Sequence, residues 1–225
     1  LTTALIADDS QQIFYSLPFY QEKEISHLAI WDNRTEQSRI IQLPEFVFLN
    51  KYYLILENDN DFRKSIFAFQ NLRIDEDRVV IFSSGTSSIY SYEVKTDSLL
   101  FHTYTPNLIP AETKAPEVNE VSSIQAFDDL KRGMKQVSFG DLQWDKSRGV
   151  YLRLASVYKQ NPNPELPDKS EVYLLAFDQA LNLIGESKLE GLPDSFYWPF
   201  LKDGKFWFYV NVNDELGFAV ITFDF

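Results

Sequence analysis

Along this chain apolar and polar residues alternate with a period of two far more often than with helical spacing, the pattern of strands with one face in a core. Four stretches share a plan of strands parted by loops and polar turns. The first runs through IFYSL at 13–17, HLAIWD at 27–32 and SRIIQL at 38–43, with a turn at Asn33–Arg34. The second has VVIFSS at 79–84, SIYSYEV at 88–94 and SLLFHTY at 98–104, with a turn at Thr96–Asp97. The third has VYLRLASVY at 150–158, EVYLLAFD at 171–178 and NLIGESKL at 182–189. The fourth is a hairpin, FWFYVNV at 206–212 and FAVITFDF at 218–225, across Asn213–Asp214–Glu215. FVFLN at 46–50 and KYYLILE at 51–57 read as a further strand pair.

Two segments break the alternation. Residues 105–119 hold three prolines and cannot form a central strand, because proline has no N–H to give to a ladder. In the next stretch Ile124, Phe127, Leu130 and Met134 fall at helical spacing, and Ser122 or Ser123 can cap its start. Gly133 weakens its end. A second proline-rich stretch, KQNPNPELPDKS at 159–170, reads as a surface loop joining two strands of one sheet. Asp32, Asp97 and Asp178 recur at strand ends, where a short carboxylate can bond its own turn.

The expected fold is all-β: a β-propeller or incomplete propeller of about four to five antiparallel blades, with one helix near 121–135. A two-sheet sandwich is the competitor. The first strands lie further apart than the roughly 40–50 residues of a compact blade, so the expectation includes insertions or uncounted strands. The final hairpin would then be joined by a strand from the other end of the chain, because an open edge invites pairing. Residues 1–225 read as a single propeller domain whose N-terminal blades lie outside this sequence, Leu1 being a truncated or processed start.

Composition narrows the function. The 19 Phe and 12 Tyr suit pleated surfaces. A net charge of −12 repels phosphate backbones, so nucleic acid is not an expected partner. The sequence has no cysteine, which excludes disulfides, thiolate metal sites and thiol catalysis. No apolar run reaches the length of about 20 residues that spans a bilayer as a helix.

The stretches QVSFGDLQWDKSRGVYLRL at 136–154, YLLAFDQALNLIGESKL at 173–189 and FLKDGKFWFYVNVNDELGFAVITFDF at 200–225 resemble a family of propeller-like extracytoplasmic proteins. That family comes from Gram-negative gut and marine bacteria and is catalogued as a domain of unknown function. SSIYSYEVKTDSLLFHTYTPNLIP at 87–110 resembles it as well, while residues 1–70 match only in general pattern. WDKSRGVYLR and NVNDELGF carry the resemblance best. It implies a six- or seven-bladed propeller, a longer chain, a lipoprotein signal and a periplasmic or cell-surface location. Any membrane tethering would come only through an N-terminal lipid anchor. No activity can be carried over.

Candidate chemistry is sparse. Glu57, Asp59 and Asp61 alternate in ENDND, a spacing at which hard oxygen ligands can hold calcium, but the glycine and the twelfth-position glutamate of a calcium loop are missing. A solvated hairpin turn accounts for the same residues. SSGTSS at 83–88 lacks a phosphate-loop lysine and reads as a flexible connection. His27 and His102 both sit in strands, and no GxSxG motif nominates a serine for either. A glycosidase would need paired carboxylates, but with 33 Asp and Glu the sequence selects no pair: Asp141 and Asp145 lie around a strand start, Asp128 and Asp129 on the expected helix, and surface charge explains them.

The densest feature is aromatic: Tyr197, Trp198, Phe200, Phe206, Trp207, Phe208 and Tyr209. On a strand Phe206 and Phe208 face one side, Trp207 and Tyr209 the other. Aromatics on both sides suit a strand packed between neighbouring sheets. The sharper alternative makes Tyr197, Trp198, Trp207 and Tyr209 a platform for a ligand. The functional expectation is a non-enzymatic module, without cofactor, that binds a protein, peptide or glycan. The alternatives are a propeller glycoside hydrolase using channel carboxylates, and a structural subunit completed by another chain.

Overall fold

A computed structural model describes residues 4–6, 12–15, 27–59, 61–66, 68–134, 136–161, 163, 168–190, 192, 197–212 and 215–223. The fold is mostly β, in several antiparallel sheets, with one α-helix and one 3-10 helix among the described residues. The chain divides into two compact units. One holds residues 1–104 and 111–135; the other holds 105–110 and 136–225.

In the first unit, β1 (Ala4–Ile6), β2 (Gln12–Tyr15), β3 (His27–Asp32) and β4 (Gln37–Gln42) form a four-stranded meander. Next comes a 3-10 helix over Pro44–Lys51, where the apolar run FVFLN had suggested a strand. Pro44 at its start fixes a helical φ, and Phe46 is drawn into the core while Val47 stays exposed. The hairpin of β5 (Tyr53–Glu57) and β6 (Phe62–Ile66) follows, and then a second meander, β7 (Gln70–Asp75), β8 (Arg78–Ser83), β9 (Thr86–Glu93) and β10 (Ser98–His102). The inner faces of the two meanders share one core. Phe14, Leu28 and Ile30 meet Val79, Ile81, Tyr90 and Tyr92, with Leu43 and Phe46 beside them.

The proline-rich segment after β10 leads into β11 (Glu120–Val121) and α1 (Ile124–Gly133). Ser123 caps α1, its Oγ accepting from the Ala126 N–H at 3.4 Å. Phe127, Leu130 and Met134 lie on one helical face and pack on Leu54 and Leu56 of β5. β11 pairs in parallel with β5, and the Asn119 side chain donates to the Lys51 and Tyr53 carbonyls at 2.9 and 2.7 Å. Thus the two excursions from the meanders fold onto each other. The Tyr52 hydroxyl donates to the Thr113 carbonyl, and its burial, with Glu112 nearby, pushes its pKa up to about 12.

SSGTSS is not a flexible connection. Ser83, Thr86 and Ser87 are buried, and the Ser87 and Thr113 N–H groups bond the carbonyls of Ala111 and Gly85 at 2.8 and 3.0 Å. A Cβ on Gly85 would meet Leu49 at 2.9 Å, so close packing selects glycine there.

In the second unit, β12 (Val137–Asp145), β13 (Val150–Lys159), β14 (Lys169–Phe177) and β15 (Leu183–Leu189) form a third four-stranded meander. The proline-rich stretch after Lys159 joins β13 to β14, whose ends pair at Lys159–Lys169. Val172–Phe177 is buried on both faces, as expected of a near-continuous apolar strand. The terminal sheet has three strands, β16 (Tyr197–Lys202), β17 (Lys205–Val212) and β18 (Glu215–Ile221). Residues 213–214 of the expected turn, and 224–225 of the final strand, lie outside the described residues. In four of the five sheets the first strand (β1, β7, β12, β16) adds to the strand sets read from the sequence.

Candidate functional site

The terminal sheet separates its aromatics by face. Phe206 and Phe208 of β17 point inward and are buried against Leu152, Leu154, Val172, Leu174 and Ala176 of β13 and β14. The alternate residues point the other way. Trp207 pairs across the strands with Val220 and Phe200, and Tyr209 with Phe218. On this outward face Tyr209, Phe218 and Val220 are 38%, 45% and 43% exposed. The rings touch: Phe200 stacks on Trp207 at 6.2 Å and 15°, and Tyr209 meets Phe218 at 4.9 Å. A strand packed on both sides would have hidden both sets; here one stays open.

Two side chains of the third meander hold this sheet in place. The Gln143 amide behaves like a backbone unit. Its nitrogen donates to the Pro199 carbonyl at 3.1 Å and its oxygen accepts from the Leu201 N–H at 2.7 Å. Both bonds flank Phe200, so Gln143 fixes the backbone that presents this ring. Arg148 donates to the carbonyls of Gly204 and Phe223, each at 2.9 Å, and lies 4.8 Å above the Phe223 ring. The β16–β17 turn has positive φ at Asp203 and Gly204, the geometry of a type I′ hairpin. A Cβ at Gly204 would lie 2.6 Å from the Arg148 guanidinium, so this approach also needs glycine.

Beside the sheet lies a cavity of about 530 Å³, within the roughly 300–1,000 Å³ usual for small-ligand sites. Gly140, Asp141, Gln143 and Leu154 form one wall; Pro199, Phe200 and Tyr209 form the other. The β12 wall exists because the pairing of β12 with β13 slips between Phe139 and Leu142, a bulge at Gly140–Asp141.

Of the expected platform residues, the structure brings Trp207 and Tyr209 to one face. Tyr197 and Trp198 lie on β16, where Tyr197 pairs with Tyr209 through the backbone; their side chains lie outside the described residues. Phe218 and Gln143 were not singled out from sequence. Phe218 was findable from cross-strand alternation, whereas Gln143 carries no local signal because its partners are more than fifty residues away.

The other candidates resolve differently. Glu57 and Phe62 pair at the end of the β5–β6 hairpin, where the Asn58 side chain accepts from the Asp61 N–H at 2.9 Å. Asp61 pairs with Arg63 at 2.6 Å, and among the described residues no group of three or more acidic, His or Cys side chains gathers around a metal-sized space. Glu57, Asp59 and Asp61 are therefore not brought together as calcium ligands. Asp141 and Asp145 have separate roles. Asp145 is buried and accepts from the Ser147 N–H, Ser147 Oγ and Arg148 at 2.9, 2.6 and 2.6 Å. Burial works against its charge, yet the bonds from Ser147 and Arg148 prevail and hold its pKa below the ordinary value, opposite to a general acid's need. Asp128 and Asp129 are exposed on α1.

Asp32 and Asp178 do bond their own turns. Asp97 instead binds Arg39 of β4 at 2.8 Å and the Tyr92 hydroxyl at 2.8 Å. His102 Nε2 lies 2.9 Å from Ser91 Oγ. Burial, then Arg78, lowers the imidazole pKa. Ser91 is 2% exposed in the middle of β9, out of reach of a substrate carbonyl.

A family model described as a domain of unknown function, DUF4221, matches residues 2–188. The match therefore takes in the N-terminal region that resembled the family only in pattern. No curated protein matches the chain. A crystal structure of a DUF4221 member from Bacteroides vulgatus is similar with a TM-score of 0.61 and 18% identity, over 97% of this chain and 63% of that one. This chain thus spans less than two thirds of that protein's length, and at this identity the likeness concerns the fold. The chain belongs to the DUF4221 family.

Proposed function

We propose that the chain is a non-enzymatic binding module whose antiparallel sheets are blades of a propeller-type fold, and that the outward face of the terminal sheet receives a protein, peptide or glycan. One observation carries this reading. β17 buries Phe206 and Phe208, while the exposed Tyr209 and Phe218, with the half-buried Phe200 and Trp207, form a contiguous aromatic surface. Aromatic faces of this kind take up apolar ligand surface with little loss of side-chain entropy, so exposing them is otherwise a cost to solubility. The carboxylates support a hydrolase less well, since Asp145 is committed to its turn. The proposed location is outside the cytoplasm, as the family resemblance implies.

The test is a peptide and glycan binding screen with the chain and its Trp207→Ala/Tyr209→Ser variant. Ligands that bind the parent and lose at least tenfold in affinity with the variant support the reading. Hits unaffected by the variant place binding elsewhere, and hydrolysis of a bound glycan would overturn the non-enzymatic assignment.

A further inference from the structure

We infer that the cavity between β12 and β16 accepts the cationic side chain of a basic peptide, a lysine ammonium or arginine guanidinium. This rests on the binding reading above and names its partner. Three observations converge. Among the described residues that line the cavity Asp141 is the one charged group, and it is negative. Phe200 and Tyr209 add two aromatic rings, whose negative faces attract cations. The chain's net charge of −12 strengthens the attraction at a distance.

The unit already uses its rings this way. Lys202 Nζ lies 5.9 Å from the Trp207 ring on the same sheet, Arg148 4.8 Å above Phe223, and Arg153 5.1 Å above Phe139. Arg153 is fully buried on the face of β13 opposite Leu154, and its Nε donates to the carbonyl of the lining residue Gly140 at 2.9 Å. Leu154 and Pro199 would cover the aliphatic stem of an incoming lysine or arginine, as such stems prefer. Gln143 acts as a positioning residue. By bonding the backbone on both sides of Phe200 it sets where that ring meets the cation.

The probes are a fluorescein-labelled Lys/Ala octapeptide, the same peptide with Glu for Lys, and a neutral maltohexaose, each titrated by polarisation or calorimetry. The basic peptide should bind, the acidic one should not, and binding should weaken about tenfold or more between 50 and 500 mM salt. Asp141→Asn and Tyr209→Ser should each weaken it about tenfold with an unchanged melting temperature. Asp129→Asn removes the same charge from the exposed face of α1 and should leave it within about twofold, separating the cavity from the general field of an acidic protein. Equal losses with Asp129→Asn and Asp141→Asn, or no binding of the basic peptide, would overturn the inference. Salt-insensitive maltohexaose binding lost with Tyr209→Ser would overturn it too, while leaving the binding face intact. Failure of every ligand in the wider screen would instead count against the face itself.

Discussion

The third meander and the terminal sheet are built from the same kind of strand and share one core, yet they treat their second faces differently. In β13 and β14 both faces are buried: Leu152, Leu154 and Leu174 on one, Tyr151, Leu175 and Phe177 on the other. In β17 only Phe206 and Phe208 are, and the alternate positions carry rings in contact with solvent. Strands buried on both faces act chiefly as scaffold. A sheet that keeps an aromatic face open bears a cost that ligand binding can offset.

The contrast is sharpest in stability. Leu174→Ala in β14 should cost about 2–5 kcal/mol and Phe208→Ala about 3–5 kcal/mol, because each leaves a cavity in the shared core. Phe218→Ala, on the open face, should cost about 1 kcal/mol or less. Urea denaturation measures all three, and a Phe218→Ala cost matching that of Phe208→Ala would break the distinction.

The clamp between the two sheets should come next. Arg148→Lys keeps a charge near Asp145 but loses the fork that reaches the Gly204 and Phe223 carbonyls. The expected loss is about 1–2 kcal/mol, with faster amide exchange confined to β17, β18 and the segment to Phe223. Uniformly faster exchange across β12–β15 would show that Arg148 serves the meander rather than the joint.

Asp145 adds a pH term of smaller size. Its folded pKa is below the ordinary 3.8, so its ionised form stabilises the fold fully above that value, and the contribution is lost as pH falls from there through the folded pKa. Asp145→Asn should therefore lower the melting temperature at pH 6 and flatten its decline below pH 4. His102 works in a higher window. Burial and Arg78 depress its pKa below 6.5, so its stabilising contribution is present above 6.5 and lost as pH drops below it. His102→Gln should flatten the decline in melting temperature between pH 7 and 5.

Much of this architecture was legible in the alternation. The strands at 27–32, 79–84, 150–158, 171–178 and 206–212, and the helix that became α1, follow from apolar spacing alone. What failed did so for physical reasons. QNLRID in β7 is too polar to announce a strand, and β12 hides its period behind the Gly140–Asp141 bulge. FVFLN in the 3-10 helix alternates like a strand, but Pro44 and the pull of Phe46 into the core decide its form. Of the site, the division of Trp207 and Tyr209 from Phe206 and Phe208 was readable, since parity along a strand requires it. Which face stays open, and which polar residues border it, was not, because Asp141 and Gln143 arrive from sixty residues away.

Because the chain has no cysteine, single thiols can report on each face without background. Phe208→Cys, Tyr209→Cys and Phe218→Cys would be labelled separately with a maleimide under native conditions, with and without a bound ligand from the screen. The account predicts fast labelling at 209 and 218, labelling at 208 slower by a hundredfold or more, and ligand protection at 209. Equally slow labelling at 208 and 209 without ligand would contradict it.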